Sequence, residues 1–188
     1  MLKEIEEFGK HVAIAGFRNV KIKDIEEFFK MMRKERLSSV ELQFFDAKFV
    51  ATWQHLYFAA LNVLTAFKNR ENISESLGME SLLYASAQRQ IRKAMKLLGI
   101  KPNSWEIAVL IIGERPELVR SALSLVSKQV KAKRDDTVLR LSKEKIAGIQ
   151  EIFVISDVEL KTVMKKGGLE KPLTDIVIER MALLATQH

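Results

Sequence analysis

The chain has 188 residues, 47% of them hydrophobic and 29% charged, with a net charge of +7 and no cysteine. That length supports one well-packed domain over residues 1–188, and the missing thiols exclude disulfides, thiolate nucleophiles and zinc sites built on sulfur. No run approaches the ~20 apolar residues of a membrane span, and the Lys- and Glu-rich start lacks a signal-peptide core, so a cytoplasmic protein with no membrane partner is expected. The positive charge makes an acidic partner, nucleic acid first, the class to test.

Lys3 to Glu7 and Val12 to Phe17 pair as a hairpin around Gly9 and Lys10. Asp24 followed three residues later by Glu27 is a capping box, and Ile25, Phe28, Phe29 and Met32 mark one face of a helix reaching about Glu35. Val40, Leu42 and Phe44 alternate as a strand. Asp46 is placed to cap the next helix, whose buried stripe runs through Phe49, Trp53, Leu56, Ala60 and Phe67. A central helical stretch spans Gly78 to Gly99. A strand from Trp105 to Ile112 follows, and IAVLII, apolar on both faces, reads as an interior strand. Pro116 opens a helix, the basic segment from Lys128 to Arg134 lies at the surface, and Val138 to Leu141 reads as an edge strand. Ser142 caps a helix, Ser156 or Asp157 starts a short one ending at Lys165, Lys166, Gly167 and Gly168, and a last helix begins near Pro172. The expected fold is α/β (α+β): a mixed sheet of about four or five strands covered by helices, with a helical C-terminal part.

Catalytic chemistry is missing from the pattern. There is no phosphate loop, nucleophile elbow or HExxH helix, and His11, His55 and His188 are scattered. His55, beside Leu56 on a helix, reads as a packed or half-exposed side chain rather than a base. No metal, cofactor or small-molecule substrate is expected, and the chain reads as a noncatalytic protein.

The central stretch is less ordinary. Met79, Leu82, Leu83, Ala87, Ile91, Ala94, Met95 and Leu98 form one apolar face, yet Ser86 and Gln90 fall on its seam. Two readings follow. In one the helix is unbroken, with Ser86 bonding back to a carbonyl and Gln90 reaching solvent. In the other the helix breaks and Ser86 is the N-cap of a new one, with Ala87, Gln88, Arg89 and Gln90 as its first turn. Free N–H groups followed by Arg89, Arg92 and Lys93 then suit a phosphate, since cations at a helix start do not help the helix itself. Gln88 and Gln90 add hydrogen bonds to base edges or sugar, and Tyr84 and Ile91 offer apolar surface to an unstacked base.

HLYFAALNVLTAFKN, GMESLLYASAQRQIRKAMKLLGIK and DIVIERMALLA carry a resemblance from His55 to the C-terminus. The chain resembles the small tRNA-binding regulatory subunit of the KEOPS complex in its archaeal form, and SAQRQI is the most specific piece. The resemblance implies a noncatalytic subunit that binds the 3′ CCA end of tRNA and the complex's atypical protein kinase. The whole complex makes threonylcarbamoyladenosine in tRNA. By position it implies Ser86, Gln88, Arg89, Gln90 and Ile91 as RNA contacts; Arg92 and Lys93 join them for charge, and Lys68 and Arg70 as phosphate contacts just upstream. No function is transferred to residues 1–36. A structural protein-interaction module with no RNA role is the alternative.

The last helix is apolar over more than half its circumference, through Leu173, Ile176, Val177, Ile178, Met181, Leu183, Leu184 and Ala185. Either an irregular helical cluster buries both faces, or the face near Ile178, Met181 and Ala185 awaits a partner. In the KEOPS-like reading that partner is the kinase, held by Val177, Ile178, Met181, Leu184 and Ala185, with Lys165, Lys166 and Lys171 nearby.

Overall fold

The computed structural model describes residues 1–35, 39–164 and 168–186, so Lys165, Lys166, Gly167 and His188 lie outside the described residues. The chain opens as the expected hairpin: β1 (Leu2–Ile5), a 3-10 turn through Phe8, Gly9 at φ 56°, and β2 (Lys10–Arg18). Next come α1 (Ile25–Lys34) and β3 (Val40–Asp46), with the Asp24 carboxylate accepting the Glu27 N–H at 2.9 Å. α2 (Trp53–Asn69), α3 (Leu77–Ala85) and α4 (Ile91–Leu98) precede β4 (Glu106–Gly113). α5 (Pro116–Val130), β5 (Lys133–Arg134), α6 (Lys143–Phe153), α7 (Asp157–Val163) and α8 (Glu170–Leu184) complete the described chain.

The five strands form one sheet in the order β1-β2-β4-β3, with β5 paired to β2. Its pairings are antiparallel throughout rather than mixed. The connection through α1 carries β3 to the far side of β4, so β2 and β3, which run the same way, never become neighbours. The register places Val12 opposite Ile112 and Ile14 opposite Leu110, while Ala13 faces Ile111 and Phe17 faces Ile107. Successive side chains leave opposite faces of a strand, so β2 and β4 feed two cores at once. α2, α3, α4 and α8 contribute to the first core, α1 and α5 to the second. On the α1 side the Phe28 and Phe44 rings meet edge to face at 5.1 Å. A third cluster joins Ala51 to Ile149, Phe153, Leu160, Leu173 and Ile176, tying α6, α7 and α8 to the start of α2.

Two local expectations change. Asp46 caps the short Ala47–Phe49 turn, accepting the Lys48 N–H at 3.1 Å, rather than the helix that follows. α2 starts only at Trp53, because Val50 and Ala51 first pass extended into the core with no exposed surface. Val138 and Leu139 lie buried in a 3-10 turn, and the edge strand is the two-residue β5 instead. Gly16 is the cause: a Cβ there would lie 2.3 Å from Val138 Cγ2. Its N–H donates to the Asp136 carboxylate at 3.0 Å and its carbonyl accepts the Asp135 N–H at 2.9 Å, so the turn seals that side of β2.

Candidate nucleic-acid interface at a helix break

The central stretch breaks. α3 ends at Ala85, α4 begins at Ile91, and Ala87 between them adopts φ 51°. The Ala87 N–H donates to Tyr84 O at 2.9 Å and the Gln88 N–H to Leu83 O at 3.0 Å. These two bonds define a Schellman closure around a left-handed residue. An alanine in that conformation costs roughly 1–2 kcal/mol, which the surrounding contacts must offset.

Ser86 supplies part of the offset: it bonds back to a carbonyl, as in the unbroken-helix reading, although the helix does break. It is fully buried as the C-cap of α3, its hydroxyl donating back to Leu83 O at 3.1 Å, and it is not the N-cap of α4. Gln90 occupies the N-cap position with an extended backbone and no side-chain cap bond. Ala87 to Gln90 are therefore a connector and not a first helical turn. The hydroxyl gives a second bond to a carbonyl that also accepts the Gln88 N–H, and burial makes that bond worth keeping.

His55 completes the closure. Its ring is fully buried in α2, Nε2 donates to Ala85 O at 2.8 Å, and Nδ1 accepts the Ala51 N–H at 3.2 Å. That pair of partners requires the neutral tautomer with the proton on Nε2. Burial pushes its pKa down to about 4, helped slightly by Lys145 and opposed by the Ala85 bond. Lys145 is a second buried clamp: its ammonium donates to Val50 O at 2.9 Å and Val138 O at 2.5 Å, and burial lowers its pKa to about 8. A third group, Glu80, is fully buried and accepts the Ile73 and Ser74 N–H groups, folding the loop before α3. Sequence reasoning assigned none of these roles. The signal for Lys145 was its place on the stripe that continues through Ile149 and Phe153.

The outer side of the break is basic. Gln88 is half-buried, while Arg89, Gln90, Ile91, Arg92 and Lys93 are exposed. The first intrahelical bond of α4 runs from the Ala94 N–H to Gln90 O, so the N–H groups of Ile91, Arg92 and Lys93 precede the ladder. α4 has no acidic residue in its first turn, where the helix dipole favours one. Tyr84 is buried and offers no surface to a base, whereas Ile91 is 45% exposed. Lys68 and Arg70 do not join this site. They lie at the far end of α2, 13 residues or more beyond the His55 contact, about 20 Å at 1.5 Å per residue. Lys68 is engaged there by Glu7 at 3.1 Å and by the Phe8 ring.

The C-terminal helix corrects the expected partner face. Val177, Met181 and Leu184 are buried, with exposures of 0%, 0% and 2%, because α8 is covered by α2 and α3 on one side and by α6 and α7 on the other. Of the proposed contacts only half-buried Ile178 and exposed Ala185 reach the surface, aligned with exposed Ala182 at helical spacing. A second apolar surface escaped sequence reasoning: Val154 and Val158, at the corner between α6 and α7, are 82% and 75% exposed. α7 turns only Leu160 inward, so its valines were not needed for the core.

Among the described residues no group of three His, Asp or Glu side chains is arranged to hold a metal ion, and no helix is long and apolar enough to cross a membrane. Comparison with known proteins assigns the fold to a family. The chain is 32% identical to the regulatory protein Cgi121 of Methanocaldococcus jannaschii over 142 residues, covering 76% of this chain and 83% of that relative. A family model for the kinase binding protein CGI-121 matches residues 17–185, which takes in the last two residues of β2, the sheet strands β3 to β5, the break and the whole of α8. A match of that extent, joined to this identity, places the chain in the CGI-121 family of kinase-binding proteins.

Proposed function

We propose that the chain is a noncatalytic subunit of the KEOPS threonylcarbamoyladenosine complex that binds the 3′ CCA end of tRNA at the α3–α4 break and the complex's kinase through a separate surface. The observation that carries the RNA half is the connector itself. Arg89, Gln90, Ile91, Arg92 and Lys93 stand exposed around the start of a helix that has no acidic residue in its first turn. N–H groups and cations stand together where the last phosphodiester or the terminal ribose would lie, and Ile91 gives a base an apolar seat. Ser86 acts from beneath by holding the connector, and Gln88 flanks it. The kinase surface is the exposed stripe of Ile178, Ala182 and Ala185 on α8.

Titration with intact tRNA and with tRNA lacking its CCA end tests the first half. Loss of the three nucleotides should weaken binding at least tenfold, and equal affinity would end the 3′-end assignment. Arg89→Ala with Gln90→Ala should weaken tRNA binding and leave kinase association intact, while Ala182→Glu should do the reverse.

A structural module without an RNA role remains the second reading, favoured by the exposed valines at the α6–α7 corner. It predicts no salt-dependent tRNA affinity in the isolated chain.

A further inference from the structure

At the other end of α4 the chain makes a cleft of about 340 Å³ lined by Lys48, Phe49, Lys101, Asn103 and Trp105. Trp105 is 54% exposed, the most exposed aromatic side chain among the large apolar residues that reach the surface. Its backbone is fixed, since its carbonyl accepts the Val20 N–H at 3.0 Å. The Lys48 and Lys101 ammoniums lie 5.5 and 5.4 Å from the centre of the Phe49 ring. No ion pair among the described residues engages either lysine.

The acidic groups of the cleft are already occupied. Asp46 accepts the Ser104 hydroxyl at 2.6 Å and the Lys48 N–H at 3.1 Å, and Glu106 pairs with Arg18 at 3.2 Å. Ser104 also accepts the Lys101 N–H at 3.0 Å, so the turn that carries Lys101 is rigid. Two cations beside an exposed indole, with the local carboxylates turned to other partners, form the pairing of charge and π-face that single-stranded nucleic acid uses.

α4 links the break to the cleft along the chain. α4 spans eight residues, about 12 Å at 1.5 Å per residue. Its exposed side carries Arg92, Lys93 and Lys96, and the chain passes from its end directly into Lys101. α6 backs both ends: Ala87 packs against the cluster containing Ile149 and Phe153, and the Phe49 ring covers Gly148, where a Cβ would lie 3.1 Å from Cε1.

The geometry points to a second nucleotide subsite in this cleft. An RNA strand whose 3′ end sits at the break runs along α4, places a phosphate between Lys48 and Lys101, and stacks an upstream base on Trp105. This rests on the RNA reading of the break, and its test separates the two.

Affinity and its salt dependence are measured for an intact tRNA transcript and for the dinucleotide CA. Trp105→Ala should weaken intact tRNA about fivefold or more, the lower end of base–aromatic stacking. Trp105→Phe, which keeps a stacking face, should stay within twofold of the parent. Lys48→Ala with Lys101→Ala should lower the slope of log affinity against log salt by about 0.7, one single-strand phosphate's worth. The dinucleotide, shorter than α4 and so unable to bridge from the break to the cleft, should bind all of these variants equally. Unchanged tRNA affinity and slope in every cleft variant, with binding still weakened by Arg89→Ala and Gln90→Ala, overturns the subsite and leaves the break site standing. If the unsubstituted chain binds neither RNA, both readings fall. Loss of kinase association in the cleft variants with tRNA affinity intact assigns the cleft to protein and also overturns the subsite. Trp105 and both lysines are surface side chains, and an unchanged melting temperature confirms that each variant folds.

Discussion

The helix break at Ala87 and the corner at Val154 are built by the same backbone device. Each is a helix end closed by paired bonds around a non-glycine residue in the left-handed region, Ala87 at φ 51° and Val154 at φ 53°. At the corner the Val154 N–H reaches Glu151 O at 3.4 Å and the Ile155 N–H reaches Gln150 O at 2.8 Å. Both ends adjoin the cluster that holds Phe153 and Ile155. What differs is the chemistry around the turn. The break is braced from beneath by buried polar groups, His55 and Ser86, and shows cations to solvent. The corner has an apolar underside and shows Val154 and Val158 beside Asp157. Backbone geometry thus gives two exposed turns, and side chains decide that one suits a polyanion and the other a protein surface.

The sharpest way to break that contrast is to remove the brace. His55→Ala leaves the Ala51 N–H and the Ala85 carbonyl without partners and opens a void at full burial, so stability should fall by about 3–5 kcal/mol in denaturant unfolding. At the corner the half-buried Gln150 amide donates to Ile155 O at 3.5 Å and Asp157 at 2.9 Å, bonds that Val154→Ala leaves intact, so that substitution should change stability by less than about 1 kcal/mol.

Acid should act on the break in the same direction. The unfolded chain takes up a proton at His55 near pH 6.5, but the folded state refuses it until about pH 4. The unfolded state therefore binds more protons between those values, and stability falls as pH drops through that window. The loss approaches about 3 kcal/mol at pH 4 and then stops growing, at 1.36 kcal/mol per unit of pKa difference. Protonation would also set an Nδ1–H against the Ala51 N–H, two donors face to face. Denaturant midpoints between pH 7.5 and 4 should show this slope in the parent and lose that component in His55→Gln.

The smallest effects come from relieving the turns themselves. Ala87→Gly and Val154→Gly should each raise stability by about 1 kcal/mol, more at the β-branched Val154, as read from the thermal midpoint. Ala87→Gly should leave tRNA affinity within twofold, since the side chain is not the contact. A Val154→Gly variant that is more stable yet binds the kinase more weakly would extend the kinase surface from α8 to the corner.

Much of this was legible in the residues. Periodicity found the elements in order, the Asp24 cap and the interior character of β4, because each depends on nearest neighbours along the chain. The break appeared as one of two readings, since polar residues on an apolar seam do interrupt it. The broken-helix reading gave Ser86 to the wrong helix, and the unbroken one gave it the right bond, because a serine hydroxyl serves a carbonyl behind it or an N–H ahead of it equally well; only the fold reveals which one is buried beside it. Lys68 and Arg70 looked close to the break in sequence, but α3 runs back along α2 and carries them to opposite ends. α8 misled for a related reason. A wide apolar circumference is the same whether one side awaits a partner or two layers enclose it, and Met181 is enclosed.

The closure of the break bears on kinetics. Ser86, His55 and the two turn bonds hold the connector before anything binds, so association has no slow ordering step to wait for. An RNA would then meet the site at a rate set by diffusion and charge, and Arg92 and Lys93 would govern how fast it arrives. The groups proposed to touch its last bases, Gln90 and Ile91 above all, would govern how long it stays. Stopped-flow traces on the two kinds of variant would divide along that line.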